Sequence, residues 1–340
     1  MNGSMEELSH AMQSSTTPDE PCRKALKQNG RASVLDVLNK AGEERFYSKA
    51  TKFRAAMTSN EAEQVLYEGM LAALGYAKNK EPFEELARLL PLRLLSKFAR
   101  RGKTLEIQAL MLGVAGLLPK NLQMVSRKTP SGMHNDFEVD RLLQTWSSFG
   151  IKDTMNRSQW RLFRVRPENC PTRRVIAASH LLARCRGDLM RSVLVRLSQP
   201  SSSRAQRELE RSLMVKADGY RASHFRIGVE AGQRPSLIGQ SRARDIIVNV
   251  VLPFCFAWSE TKPDAWLRKR SKELYVNYPR LQENWITEYM RRQIFGDESA
   301  AGLPCTACHQ QGLIHLYMAF CAEHRCHACP LACGDATGHC

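Results

Sequence analysis

The chain lacks the short motifs that mark the common nucleotide-binding and hydrolase sites. It has no G-x-x-x-x-G-K-S/T phosphate loop, no G-x-G-x-x-G fingerprint, no H-E-x-x-H pair and no G-x-S-x-G elbow. No nucleophile with an adjacent general base stands out. The sequence therefore argues against these enzyme classes, and we expect no catalysis from this chain on its own.

Long apolar runs are also missing. The most apolar stretch, residues 246–258, is interrupted by Asn249 and Pro253 and is too short to span a bilayer. It predicts a buried helix with a kink at Pro253, because proline removes a backbone donor. The first 20 residues have no apolar core of the kind that a signal peptide needs. We expect a cytoplasmic protein that does not enter the membrane.

Alternating apolar and polar residues, the pattern of half-buried strands, are not evident. Apolar residues recur instead at helical spacing, as in residues 61–74, where Gly75 follows the last periodic position. The pattern predicts a mainly α fold, a multi-helix body with a small cysteine-rich metal-binding tail. We expect a flexible segment over residues 1–30, a helical domain over 31–300 and the Cys/His-rich tail over 301–340.

Acidic residues are few relative to basic ones. The 340 residues include 50 Lys and Arg against 34 Asp and Glu, which gives a net charge of +16. Such an excess favours polyanions, above all nucleic acid, through phosphate contacts and counterion release. The basic residues are spread along the chain, however, and spread charge also fits an ordinary solvated surface.

Two basic clusters are candidates for nucleic-acid contacts. In residues 160–174 arginines alternate with Trp160 and Phe163, a composition suited to gripping phosphates and stacking bases. The alternative is a proline-pinned turn whose arginines pair with buried carboxylates. The second cluster follows Gly239, where Ser241 is a candidate helix cap. The candidate contact residues are Arg161, Arg164, Arg166, Arg173, Arg242 and Arg244.

Cysteine and histidine are concentrated at the C-terminus. Seven of the 11 cysteines lie between Cys305 and Cys340. Two C-x-x-C pairs, at Cys305 and at Cys326, are separated by a spacing typical of four-cysteine zinc sites. The candidate metal ligands are Cys305, Cys308, Cys321, Cys326, Cys329 and Cys333.

Zinc is the expected metal, and an iron–sulfur cluster is the alternative. Cys321 begins a C-x4-C-x2-C-x3-C run, and such clusters are also held by four thiolates. A thiolate must lose its proton to bind, so metal binding would supply folding energy to a short tail. A disulfide-rich tail fits less well, because nothing else in the sequence indicates secretion.

At these motifs the chain resembles a bacterial family known as domain of unknown function 2851. The similar stretches are residues 41–46, 67–70, 74–83, 163–173, 238–253 and 310–317, together with the triplet Cys321, Cys326 and Cys329. The resemblance implies no established activity. Family members look as though they carry a further N-terminal region with acidic and histidine motifs similar to those of metal-dependent nucleases. We expect this chain to lack that region, because the resemblance places residue 1 where the region would end.

Three functions follow from these observations. The first is a metal-stabilised, nucleic-acid-associated module of a nuclease-like family whose catalytic region is missing. The second is a helical protein-interaction module, whose partner would be the N-terminal region encoded separately. The third is an iron–sulfur or redox protein. The charge and the arginine–aromatic cluster favour the first.

Overall fold

The computed structural model describes residues 21–119, 136–163, 165–166, 169–217, 224–226, 229–230, 236–296 and 304–333. The described part of the chain is mainly helical, as the periodicity predicts. Two short antiparallel strands, β1 (His224–Arg226) and β2 (Val229–Glu230), pair His224 with Glu230, and the sequence pattern did not indicate them. Among the described residues, no helix combines the length and apolarity needed to cross a bilayer.

The described part of the chain forms two compact units. One comprises the described residues of Met1–Lys52 and Ser271–Cys340, and the other comprises those of Phe53–Arg270. We call them the terminal unit and the central unit. The flexible segment expected at 1–30 lies partly outside the described residues, and from Pro21 onward it is helical.

The central unit is built on helices whose ends follow the sequence signals. Gly75 follows α2, and Pro91 separates α3 from α4. Helix α5 is buried along nearly its whole length and packs against α6 and α7. The helices are α2 (Ala62–Leu74), α3 (Lys80–Leu89), α4 (Leu92–Ala99), α5 (Thr104–Val114), α6 (Asp136–Ser148), α7 (Pro171–Arg184), α8 (Leu189–Leu197), α9 (Ser202–Leu213), α10 (Gln240–Ile246) and α11 (Leu252–Thr261).

Residues 246–258, where a buried helix is expected, belong to two helices that are joined upstream of Pro253. A π-helical turn, Ile247–Val251, joins α10 to α11, and Pro253 lies in the first turn of α11. Proline offers no N–H to the preceding turn, so a widened turn at this place is physically reasonable.

The terminal unit packs helices from both ends of the sequence around one apolar core. Its elements are α1 (Pro21–Ala56), α12 (Ala265–Val276), α13 (Trp285–Phe295), α14 (Ala307–Ala319) and α15 (Pro330–Cys333), of which α1 and α12 also run into the central unit. Helix α1 is kinked at Gly30, whose φ of 76° is open to glycine. The core includes Leu38 from α1, Met290 from α13 and Leu313 from α14.

Candidate nucleic-acid interface

The described residues of the arginine–aromatic cluster, 161–163, 165–166 and 169, follow a buried tryptophan in the central unit, and we call this segment the 161–169 loop. Trp160 donates from Nε1 to the carbonyl oxygen of Ala115 over 2.7 Å. Its ring meets Phe83 edge to face, with 5.1 Å between the ring centres. The indole therefore satisfies its polar atom within the core while its ring packs, and it fixes where the 161–169 loop begins.

A buried asparagine holds the first residue of the loop. Asn79, next to the start of α3, accepts the Arg161 amide N–H at Oδ1 over 2.8 Å. It also donates from Nδ2 to the Arg161 carbonyl oxygen over 3.1 Å. These two bonds mimic a strand pairing and fix the backbone of Arg161. The lysines on either side of Asn79, Lys78 and Lys80, are exposed.

The far end of the loop is anchored in a similar way. The Asn169 amide donates to the Arg166 carbonyl oxygen over 2.8 Å. Its side-chain oxygen accepts from Arg174 over 2.8 Å. Cys170 is buried, and Pro171 then opens α7 at a position where a missing N–H costs nothing.

Between these anchors, the residues that the structure describes display one aromatic ring and two arginines. Phe163 is 81% exposed, the highest value among the large apolar side chains exposed in the described residues. Arg161 and Arg166 are also exposed. Arg164 lies outside the described residues. The arrangement presents an aromatic face flanked by positive charge, which suits a base and its phosphates.

Behind the loop, Tyr76 lies between two arginines. Arg174, only 4% exposed, donates to the Tyr76 hydroxyl over 2.9 Å and to the Leu237 carbonyl oxygen over 2.6 Å. The Arg242 guanidinium lies 3.2 Å from the centre of the Tyr76 ring. Tyr76 itself has a φ of 53°, an uncommon backbone conformation for a residue other than glycine.

Arg242 is held by more than the ring. It pairs with Asp245 at 3.3 Å and donates to the Ala73 carbonyl oxygen. Burial lowers the pKa of Arg242 from its usual value, and Tyr76 and Asp245 act in the opposite direction. The guanidinium therefore serves to join α2 to α10 beneath the 161–169 loop.

The remaining predicted contact residues occupy other places. Arg173 is 2% exposed and belongs to the interior of the central unit. Arg244 pairs at 3.0 Å with Glu210, a buried carboxylate that also accepts from Gln240. Pairing with a buried carboxylate was the alternative for the arginines of the first basic cluster. The structure shows such a pair at Arg244, which belongs to the second cluster.

Sequence reasoning missed Asn79 and Tyr76 as members of this arrangement. Both lie in residues 74–83, one of the stretches that resembles the family. Two further such stretches, 163–173 and 238–253, supply the loop and Arg242. The order of these stretches in the sequence does not tell how far apart they lie in the fold. Their proximity is visible only in the structure.

The first cysteine pair of the tail is divided between surface and core. Cys305 is exposed, whereas Cys308 is buried on α14 with its sulfur 3.7 Å from the Asn39 carbonyl oxygen. Burial raises the pKa of Cys308 to about 12. The two thiols therefore do not present one shared face.

The later cysteines lie on consecutive short turns of the terminal unit. The turns are Cys321–Glu323, Cys326–Ala328 and α15. Cys329 is buried with Leu331 in the apolar core. Burial raises the pKa of Cys329, and the backbone N–H groups of Leu331 and Ala332 oppose that rise. Cys333 donates from its sulfur to the His327 carbonyl oxygen over 2.7 Å.

No metal centre is assembled in the part of the chain that the structure describes. Within it, no three His, Cys, Asp or Glu side chains are grouped so that they could hold one ion. The sulfur atoms of the tail would have to turn toward a common point for a metal to bind.

Comparison with known proteins connects the chain to a family but to no characterised activity. No curated protein matches the sequence. No solved structure matches it either. The profile of a protein family of unknown function, DUF2851, matches residues 3–284, and the cysteines from Cys305 onward lie beyond the match. Because that match covers most of the chain, the protein belongs to the DUF2851 family.

Proposed function

We propose that the protein binds single-stranded nucleic acid through the 161–169 loop. The observation that carries the proposal is the exposure of Phe163 between two exposed arginines on a loop anchored at both ends. Phe163 stacks on a base, while Arg161 and Arg166 contact the flanking phosphates. Anchoring matters because a backbone already fixed loses less conformational entropy on binding.

The lysines beside Asn79 offer less positive charge to a ligand than the arginines of the loop. Of the neighbouring lysines, Lys80 is paired with Glu84 at 3.5 Å, and its charge is partly compensated. Glu81 is the nearest exposed acid in the chain to Asn79. The exposed arginines of the loop, rather than the lysines, therefore provide the principal phosphate contacts.

The test is fluorescence anisotropy with a labelled, mixed-sequence single strand at several salt concentrations. Phe163→Ala should weaken binding by roughly 5- to 150-fold, since stacking contributes about 1–3 kcal/mol per base. The salt dependence should stay unchanged in that variant. Arg161→Gln combined with Arg166→Gln should reduce the slope of log K against log salt by about 1.4, at about 0.7 per phosphate.

Two matched variants control for general effects of the substitutions. Trp266→Ala removes another exposed aromatic ring, 51% exposed on α12, and Arg93→Gln removes another exposed arginine, on α4. Both should bind like the wild type. If Trp266→Ala and Phe163→Ala lose the same affinity, or if no variant differs from the wild type, the loop is not the interface. A pulled-down protein partner lost in Phe163→Ala would then favour the protein-interaction module.

We further propose that Cys321, Cys326, Cys329 and Cys333 hold a zinc ion, with an iron–sulfur cluster as the alternative. Two observations support it: the C-x4-C-x2-C-x3-C spacing, and the backbone N–H groups of Leu331 and Ala332, which act to lower the pKa of the Cys329 thiol. Such N–H groups stabilise a thiolate. Elemental analysis of anaerobically purified protein should find one zinc per chain, whereas several irons would indicate the cluster.

Single substitutions separate the tail cysteines from the rest. Cys326→Ser changes an exposed residue and should lower the metal content, while Cys305→Ser should leave it unchanged. Metal-free wild-type protein from a chelator-free preparation would refute the metal proposal. It would leave the proposal for the 161–169 loop intact.

A further inference from the structure

In the terminal unit, α1 and α14 touch through their backbones. A Cβ atom at Gly42 would lie 2.2 Å from the Cys308 carbonyl oxygen, and one at Gly312 would lie 2.1 Å from that of Leu38. Gly42 and Gly312 therefore mark the close approach of the two helix backbones. The contact places the polar side chains that follow Gly42 beside those of α14.

Two cations of α1 meet one neutral oxygen of α14. Arg45 donates from Nε to Oε1 of Gln311 over 2.9 Å, and Lys49 donates from Nζ to the same oxygen over 2.9 Å. Gln311 is 3% exposed, so its position is fixed by packing. The shared acceptor draws the two positive groups close together.

The acidic neighbours on α1 are committed to other partners. Glu43 pairs with Lys272 at 3.0 Å, and Glu44 pairs with His315 at 3.0 Å. Within the described residues, Arg45 forms no ion pair, and only its Nε has a hydrogen-bond acceptor. Burial lowers the pKa of Arg45, and Tyr275 acts in the opposite direction. The guanidinium is thus partly removed from water without a counterion.

A partly buried cation that lacks a counterion is stabilised when an anion binds beside it. The free edge of Arg45, Nη1 and Nη2, offers the two parallel donors that fit a phosphate or carboxylate. Because Gln311 binds Nε of Arg45, the orientation of the guanidinium group is already fixed before a ligand binds. Lys49 adds a positive group on the same side of the amide.

We propose that Arg45, oriented by Gln311 and assisted by Lys49, binds a phosphate-type oxyanion. The site lies in the terminal unit and uses none of the residues assigned to the 161–169 loop, so it goes beyond the proposed function. The phosphate belongs either to a free monoester or to a nucleic-acid backbone.

Isothermal titration of the full-length protein with inorganic phosphate at low ionic strength tests the site. Arg45→Met should weaken phosphate binding by about tenfold or more, because charged hydrogen bonds are lost. Arg93→Met, an exposed arginine on α4, should bind phosphate like the wild type. Unchanged phosphate binding in Arg45→Met would overturn the proposal.

A second variant guards against simple loss of folding. Gln311→Glu places a carboxylate where Arg45 and Lys49 already converge. It should raise the melting temperature and also abolish phosphate binding, whereas Arg45→Met should not raise it. A Gln311→Glu protein that still binds phosphate like the wild type would contradict the assignment.

Competition identifies the source of the phosphate. A nucleoside monophosphate that displaces inorganic phosphate would indicate a free monoester, and displacement by an oligonucleotide alone would indicate a phosphodiester backbone. Phe163→Ala should retain phosphate binding in either case. The failure of this site and the failure of the 161–169 loop are therefore separate results.

Discussion

Single atoms decide how closely α1 and α14 approach. Both glycines at the contact face backbone oxygens, which cannot move aside as a flexible side chain can. We expect Gly312→Ala to lower the free energy of unfolding by about 1–3 kcal/mol through overpacking. Urea denaturation monitored by circular dichroism measures the change.

Gly239→Ala is the matched control for this prediction. A Cβ at Gly239 meets no heavy atom within 4 Å, and its φ is −84°. The loss should stay below about 1 kcal/mol, the usual cost of alanine at a helix N-cap. Equal losses in the two variants would argue against a tight α1–α14 contact.

Another residue-scale effect concerns His309, which is 6% exposed. Neither ring nitrogen has a hydrogen-bond partner in the described structure, and burial lowers its pKa from the usual 6.5. As pH falls through 6.5 the unfolded chain takes up a proton that the folded protein does not bind. Folding stability at this residue is therefore lost as the pH falls toward the lower folded pKa.

We expect His309→Leu to remove that loss. The unfolding free energy of the variant relative to the wild type should increase between pH 8 and pH 5.5, because only the wild type has the pKa shift of His309. Urea titrations at several pH values provide the measurement. A difference between the two proteins that does not vary with pH would contradict it.

At the scale of elements, the 161–169 loop depends on a residue outside it. Asn79→Ala removes both bonds that hold the Arg161 backbone. We expect weaker single-strand binding and several-fold faster trypsin cleavage within the loop, although Asn79 would contact no ligand. Asn277→Ala, which removes a local bond at the end of α12, should change neither property.

Helix limits were predictable where the signal was local. Helix α2 ends before Gly75 and α3 ends before Pro91, as expected. Pro91 acts through its own backbone restriction, whereas Gly75 has an ordinary φ of −71° and leaves room for the Asn79 carbonyl oxygen. The bond between Asn79 and Arg161 was not predictable, because 82 positions separate the two residues. The short β1–β2 pair is likewise too brief to produce an alternating pattern.

For the candidate sites, too, local patterns were predictable and contacts between distant residues were not. Spacing identified the cysteine run and the arginine–aromatic cluster, since both are patterns among neighbours in sequence. It could not distinguish exposed Arg161 from buried Arg173, because that difference depends on packing by distant helices. It also could not show that Cys308 points into the α1–α14 contact.

At the scale of the whole molecule, the net charge of +16 favours polyanions, and the number of phosphates contacted sets the response to salt. With the two phosphates contacted by Arg161 and Arg166 at about 0.7 each, single-strand affinity should fall by roughly 7-fold between 50 and 200 mM salt. Anisotropy titrations over this range measure the slope. An affinity that does not vary with salt would exclude phosphate contacts as the source of binding.

Each compact unit also contains a thiol that both burial and a raised pKa protect from chemical labelling. Cys255 in the central unit and Cys308 in the terminal unit are buried, and burial raises the pKa of each thiol to about 12. Because only thiolates react readily with maleimides, both residues react only when their surroundings open. The exposed Cys305 reacts at once and calibrates the reagent. Mass spectrometry of the labelled peptides therefore times the opening of each unit separately, without any introduced probe.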